Sequence, residues 1–192
     1  MSGDESFPDV LTTPRLRLRR YSADDSQALH SLVEANRTHL IESFPEMARG
    51  LSTPAEAAAF LDEKAAQWSA GKSFCYGIWR QDTGSLAGQI LAKNILWNVP
   101  SAELAYFVAT DSLRRGIASE TIQTLLQLLF ERLEFARVYV RVIASNIASL
   151  ALAETLGFRA EGLHRQEFRC GLGKLHDVRY LSIIRDDRRP RP

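Results

Sequence analysis

The sequence predicts one mixed α/β domain, and three observations carry that reading. Strand-like and helix-like segments follow one another as strand, helices, strands, helix, strand, helix, strands. No internal repeat or linker interrupts them. The 192 residues are enough to bury a substantial core. In chain order, Arg15, Arg17 and Arg19 alternate with Leu16 and Leu18, as in a strand with one solvated face. Ser22-Ala23-Asp24-Asp25 caps a helix carrying Ala28, Leu29, Leu32 and Val33. Thr53-Pro54-Ala55-Glu56 combines an N-cap, a Pro at the first helical position and a Glu at the third. That helix presents Phe60, Leu61, Ala65 and Trp68 and ends near Gly71. Phe74 to Trp79 and Leu86 to Ile95 read as strands joined by a turn at Asp82-Thr83-Gly84. Residues 102–109 form the next strand. A helix with Ile122, Leu125, Leu126, Leu129 and Leu133 on one face follows. Val138 to Val142 is a β-branched strand. Asn146 caps a short helix that Gly157 closes. Two extended segments then end near Ile184, with a polar turn at Gly171-Leu172-Gly173-Lys174.

Composition narrows the function. Hydrophobic content is 45%, charged content 24% and net charge +1, normal for a globular domain and no electrostatic case for direct nucleic-acid binding. Two cysteines, Cys75 and Cys170, are too few for a disulfide scaffold, and no Cys/His pair has metal-ligand spacing. The four scattered histidines indicate neither zinc nor a Ser-His-Asp constellation. The N-terminus carries acids and Pro rather than a signal sequence, and no apolar run approaches membrane-spanning length. No membrane partner and a cytoplasmic, reducing location are expected. Arg188, Arg189 and Arg191 fall in a Pro-containing end, so a domain at 8–186 and a disordered basic tail at 187–192 are expected.

The stretch from Leu104 to Glu120 carries chemistry. An apolar strand runs into Arg114-Arg115-Gly116 and then directly into a helix. The first N–H groups of a helix lack intrahelical partners, and its dipole adds positive charge there. Gly116 allows close backbone approach, and the two arginines suit phosphate. The loop has neither the two spaced glycines of a dinucleotide fingerprint nor a Gly-Lys-Ser/Thr ending, which argues against ATP or GTP.

Several motifs in order carry a resemblance: Thr13-Pro14-Arg15-Leu16-Arg17-Leu18-Arg19, Asn36-Arg37-Thr38-His39-Leu40, Ala102-Glu103-Leu104-Ala105-Tyr106-Phe107-Val108, Asn146-Ile147-Ala148-Ser149, Leu156-Gly157-Phe158-Arg159-Ala160-Glu161-Gly162, and the late Asp177 and Tyr180. Over about residues 11–184 the chain resembles the GCN5-related N-acetyltransferases, within them the ribosomal-protein N-terminal group typified by RimJ and RimL. The resemblance implies the GNAT fold: one mixed, mostly antiparallel twisted sheet, flanked by helices. Its two central parallel strands, here 104–109 and 138–142, splay apart. It implies acetyl-CoA as co-substrate, contacted by Phe107, Val108, Arg114, Arg115, Gly116, Ile117, Ala118, Ser119, Asn146 and Ser149. It raises a homodimer as one assembly. One departure stands out. Leu113 replaces the family's usual polar residue at the start of the pyrophosphate loop, and Arg114 sits where Gly is frequent.

An amine must be neutral to attack a thioester. A peptide α-amine, pKa about 8, needs less help near neutral pH than a lysine amine at about 10.4. Glu103 and Glu167 are the candidate bases. Glu103 lies beside an apolar strand that would desolvate it, and an ordinary solvated strand position is the competing reading. Glu167 matches an acidic position that the resemblance puts near the acceptor amine. Ser149 is implied as the hydroxyl near the coenzyme sulfur, and capping alone would also explain it and Asn146. Tyr106 reads as packing. The segment His39–Leu51 and the turn Gly171–Leu175 are implied to border the acceptor cleft. The leading acceptor is a protein N-terminal amine, as on a ribosomal protein. A small amine such as an antibiotic, polyamine or amino-acid derivative is the alternative. A non-catalytic acyl-CoA-binding module is the third.

Overall fold

The computed structural model describes residues 7–188. Its strands are Val10–Thr12 (β1), Leu16–Arg20 (β2), Phe74–Arg80 (β3), Leu86–Leu96 (β4), Ser101–Val108 (β5), Arg137–Ile143 (β6), Arg159–Arg169 (β7) and Leu175–Ile184 (β8). Its helices are Ser26–Ser43 (α1), Pro45–Gly50 (α2), Pro54–Ser69 (α3), Ile117–Gln127 (α4) and Ile147–Thr155 (α5). One eight-stranded sheet has the order β1-β2-β3-β4-β5-β6-β8-β7. Every pairing is antiparallel except β5 with β6.

The elements expected from the pattern are present, with three differences. The opening strand is a hairpin: Val10–Thr12 pairs with β2, and Thr13 Oγ1 accepts the Leu16 N–H at 2.9 Å in the turn. The segment after α1 is itself helical, because Pro45 supplies the fixed φ of a first helical turn. The long apolar helix stops being α-helical at Gln127. It continues as a wider turn over Leu128–Arg132, where the Leu133 N–H reaches back to Leu128 O at 3.0 Å. That turn keeps Leu128, Leu129 and Phe130 buried. At the other end Arg185–Arg188 form a 3₁₀ turn across the expected domain boundary at 186, with Asp187 paired to Arg159 at 2.9 Å. Residues 189–192 of the expected tail lie outside the described residues.

Two apolar cores hold helices on the sheet. The larger joins β2–β6 and β8 to α4 and α5 through Leu104, Val108, Ile122, Leu125, Val140 and Leu150. The smaller packs α1, α2 and α3 around Phe107 and Ala109. β5 therefore presents Leu104, Tyr106 and Val108 to one core, while Phe107 points to the other, as strand alternation requires.

Candidate active site

Pairing between β5 and β6 stops at Glu103 and Tyr139, although β5 runs on to Val108 and β6 to Ile143. Their outer edges stay paired to β4 and β8 along that length. The inner edges diverge, opening a cleft lined by unpaired backbone. The Ala109 N–H donates to Ala87 O on β4 at 2.8 Å. Alternation then turns the N–H groups of Tyr106 and Val108 toward the opening, while that of Leu104 lies at the last β5–β6 pairing. Val108 thus offers its amide there, whereas the Phe107 amide faces β4 and its ring packs on Phe44 with centroids 5.7 Å apart.

The loop before α4 is shaped for an anion. Gly116 is the N-cap at φ 75°, with no side-chain cap, and the first intrahelical bond runs from the Glu120 N–H to Gly116 O at 3.0 Å. The amides of Ile117, Ala118 and Ser119 have no acceptor inside the helix. Arg114 has φ 58°, in the left-handed region where the family's frequent Gly would sit without strain. Arg114 and Arg115 are exposed, while Arg15 of the β1–β2 turn fixes the loop from below. Its Nη1 donates to Arg115 O at 2.8 Å and its Nε to Glu120 Oε2 at 2.7 Å. Thr13 Oγ1 donates to Glu120 Oε1 at 2.5 Å. Burial raises the Glu120 pKa, but the hydrogen bonds from Thr13 and Arg15 outweigh it and hold the carboxyl below its ordinary range. Asn36, 5% exposed on α1, anchors the other end of the connection, accepting the Thr110 N–H at 2.8 Å. A charged loop with free amides at a helix start suits the pyrophosphate of a coenzyme A.

At the start of α5, Asn146 Oδ1 accepts the Ser149 N–H at 3.1 Å. That cap orients Ser149, whose Oγ lies 2.9 Å from the Tyr106 hydroxyl. Tyr106 packs against the larger core, as expected, and also spans the opening with its hydroxyl. Burial raises the Tyr106 pKa, and the Ser149 contact only partly offsets this. The phenol therefore stays protonated near neutral pH and is able to donate.

The two candidate carboxylates meet on the opposite face of the sheet. Glu103 is 2% exposed, which rules out the solvated strand position. Its Oε2 accepts the Asn94 amide at 2.7 Å, and its Oε1 lies 3.2 Å from Lys93 Nζ and 3.3 Å from Arg141 Nε. Arg141 continues to Glu167 Oε1, 3.2 Å from its Nη1. Glu167 also accepts the Tyr180 hydroxyl at 2.5 Å, and its second oxygen lies 3.2 Å from His164 Nδ1. A bulge between His164 and Phe168 aims Glu167 inward, with Gln166 at φ 53° and its N–H held by Asp177 Oδ1 at 2.9 Å. Burial is the largest influence on the Tyr180 phenol and raises its pKa, and the Glu167 contact raises it further. The segments expected to border an acceptor cleft touch: Gly171 N–H donates to Ile41 O at 2.7 Å, and Arg49 donates to Gly171 O.

Sequence reasoning missed Arg141, Lys93, Asn94, Arg15 and the Tyr106 hydroxyl. Arg141 left a signal, as a charge among alternating Val138, Val140 and Val142. The others gave none, because their partners are distant in sequence.

A splayed parallel pair beside a helix-start anion loop is the frame of an acyltransferase. The comparisons agree: residues 15–159 match the model of the acetyltransferase (GNAT) domain, and the chain belongs to that family. It is 29% identical over 182 residues to the uncharacterized N-acetyltransferase YoaA of Bacillus subtilis, covering 93% of this chain and 98% of YoaA. Solved structures that share the fold include two acetyltransferases. The RimL ribosomal L7/L12 alpha-N-protein acetyltransferase, in complex with coenzyme A, superposes with a TM-score of 0.84 at 24% identity, over 93% of this chain and 99% of that one. The microcin C7 self immunity acetyltransferase MccE, in complex with acetyl-CoA and AMP, gives 0.85 at 19% identity, over 94% and 98%. No helix among the described residues is long and apolar enough to cross a membrane.

Proposed function

We propose that this acetyltransferase moves an acetyl group from acetyl-CoA to a primary amine, and that the acceptor is the α-amine of a protein N-terminus, as in the ribosomal-protein enzymes. The observation that carries the reading is the Glu103–Arg141–Glu167 array beside the strand opening. Acetyl-CoA supplies the activated thioester. The Ile117, Ala118 and Ser119 amides, with Arg114 and Arg115, bind its phosphates, and the Val108 amide and Asn146 flank its arm. Glu103 is saturated by Asn94, Lys93 and Arg141, so it acts as a positioning residue that fixes Arg141. Glu167, with its side chain a quarter exposed, is the carboxylate that meets the incoming amine and takes its proton. An α-amine near pKa 8 loses that proton readily, which suits a base already held by Arg141, Tyr180 and His164. The Tyr106 and Val108 amides, beyond the last β5–β6 pairing, face the developing oxyanion. The Tyr106–Ser149 hydroxyl pair donates to the departing thiolate.

Thiol release from acetyl-CoA, measured against a panel of amines, tests this. Free-N-terminus peptides, ribosomal-protein N-termini among them, are expected to react faster than N-capped lysine peptides and polyamines. Faster turnover of a small amine than of every peptide would move the assignment to small-molecule acetylation. No release with any amine would leave an acyl-CoA-binding module.

A further inference from the structure

We infer that Glu42, Cys170 and His176 form a site for a zinc-class divalent metal ion, pinning the end of α1 to the β7–β8 hairpin. The three side chains come from α1, from the residue after β7 and from the second residue of β8. A carboxylate oxygen of Glu42, Cys170 Sγ and a ring nitrogen of His176 all lie within 4.8 Å of one another. The separation of Glu42 Oε2 from His176 Nε2 is 3.5 Å. Two ligands about 2.0–2.1 Å from a tetrahedral ion stand roughly 3.3 Å apart, so this pair is already near metal-binding geometry. A thiolate ligand at about 2.3 Å would stand roughly 3.6 Å from the imidazole nitrogen, a closure of at most about 1.2 Å from the 4.8 Å limit.

A second observation points to a ligand. The His176 side chain is 9% exposed, and its buried Nε2 has no hydrogen-bond partner, only Glu42 beyond hydrogen-bond geometry. A buried ring nitrogen facing a carboxylate without a hydrogen bond is costly. Cys170 is 2% exposed and forms no disulfide. The backbone around it is fixed: Cys170 N–H donates to Lys174 O and Gly173 N–H to Cys170 O, each at 3.0 Å. Gly171 presses the hairpin turn on α1 so closely that a Cβ there would lie 2.3 Å from the Ile41 side chain and 2.8 Å from its carbonyl oxygen. One carboxylate, one imidazole and one thiolate make a three-ligand set of the borderline-soft kind that selects zinc, with a fourth position for water or a substrate group. On binding, Cys170 gives up its thiol proton to solvent and forms the sulfur–metal bond. The site joins the two segments that touch through Gly171 and Ile41, so its occupancy would set their spacing.

Cobalt(II) titration of the full chain, freed of metal by chelation, is the test. We expect one ion per chain and a thiolate-to-cobalt charge-transfer absorption that zinc displaces. Cys170→Ser is expected to abolish the band, and Cys75→Ser to leave it unchanged. His176→Gln is expected to weaken zinc binding by more than about 100-fold, since losing even an outer partner of a metal ligand costs 10–100-fold. Zinc is also expected to raise the thermal midpoint of the wild type and not that of Cys170→Ser. A titration without the charge-transfer band, or with a band that survives Cys170→Ser, would overturn the site and leave a Glu42–His176 ion pair.

Discussion

Glu103→Gln separates a positioning carboxylate from a base. The substitution keeps the shape of a side chain that is 2% exposed but removes the charge facing Lys93 and Arg141. Breaking a buried pair by deleting one partner typically costs 3–5 kcal/mol. Here the two cations are 33% and 36% exposed and regain some hydration, so the expected loss is about 2–3 kcal/mol. For a chain of this size that is a fall in Tm of about 4–12 °C. Glu167→Gln changes a more exposed group and is expected to cost about 1 kcal/mol or less. The kinetic pattern reverses. Glu167→Gln should flatten the rise of kcat/KM with pH on a peptide substrate. Glu103→Gln should lower the rate while keeping the profile's shape, because its action passes through Arg141. Paired thermal melts and pH–rate profiles of both variants decide the matter. A Glu103→Gln protein that melts within about 2 °C of wild type, or that alone flattens the profile, would refute the division of roles.

Ser149→Ala is expected to slow turnover about 100-fold, the lower end of general acid–base help, with coenzyme affinity retained. Unchanged turnover in steady-state kinetics would reduce Ser149 to a capped helix residue. Gly116→Glu adds a Cβ 3.2 Å from the Arg15 guanidinium at φ 75° and a repelling charge, so calorimetry should show acetyl-CoA affinity falling by at least about 10-fold; equal binding would remove the loop from the coenzyme site. The Glu161 carboxyl is held low by its Arg137 hydrogen bond, Glu120 by Thr13 and Arg15 against burial, and Asp25 by Arg19 and Ser22 against burial. Their folded pKa values lie below the unfolded ones, so the stability they add is present above about pH 4 and is lost as pH falls through the folded values. Denaturant midpoints should therefore drop between pH 5 and pH 3, and constant midpoints would contradict the ion pairs. Burial pushes the Cys75 thiol up to about 12, so at pH 8 it should react with a thiol reagent only after denaturation. Rapid labelling in the native state would contradict its burial.

Much of the fold was written in local pattern. The alternation of Leu16 and Leu18 with arginines, the Thr53-Pro54-Ala55-Glu56 cap and the Asn146–Gly157 bounds are short-range signals, and the structure reproduces them. Gly116 and Asn146 could be read because a helix start announces itself within a few residues. The basic glycine loop was legible for the same reason. Local signals did not show that Ala109 hydrogen-bonds β4 and so turns the Tyr106 and Val108 amides to the opening, because strand register is set by the whole sheet. Nor did they show that Glu103 is buried, since its burial depends on β4 and β6 closing over it. Glu167 was marked by the resemblance, but its direction comes from a bulge that Asp177 holds across the β7–β8 pair. Arg141 joins the two carboxylates only because β6 lies between β5 and β8. Cys170, His176 and Glu42 lack metal-ligand spacing in the sequence and converge only where a hairpin turn meets the end of α1. Secondary structure follows from neighbours along the chain, whereas a site built from charge, burial and ligand geometry follows from neighbours in space, and folding alone supplies those.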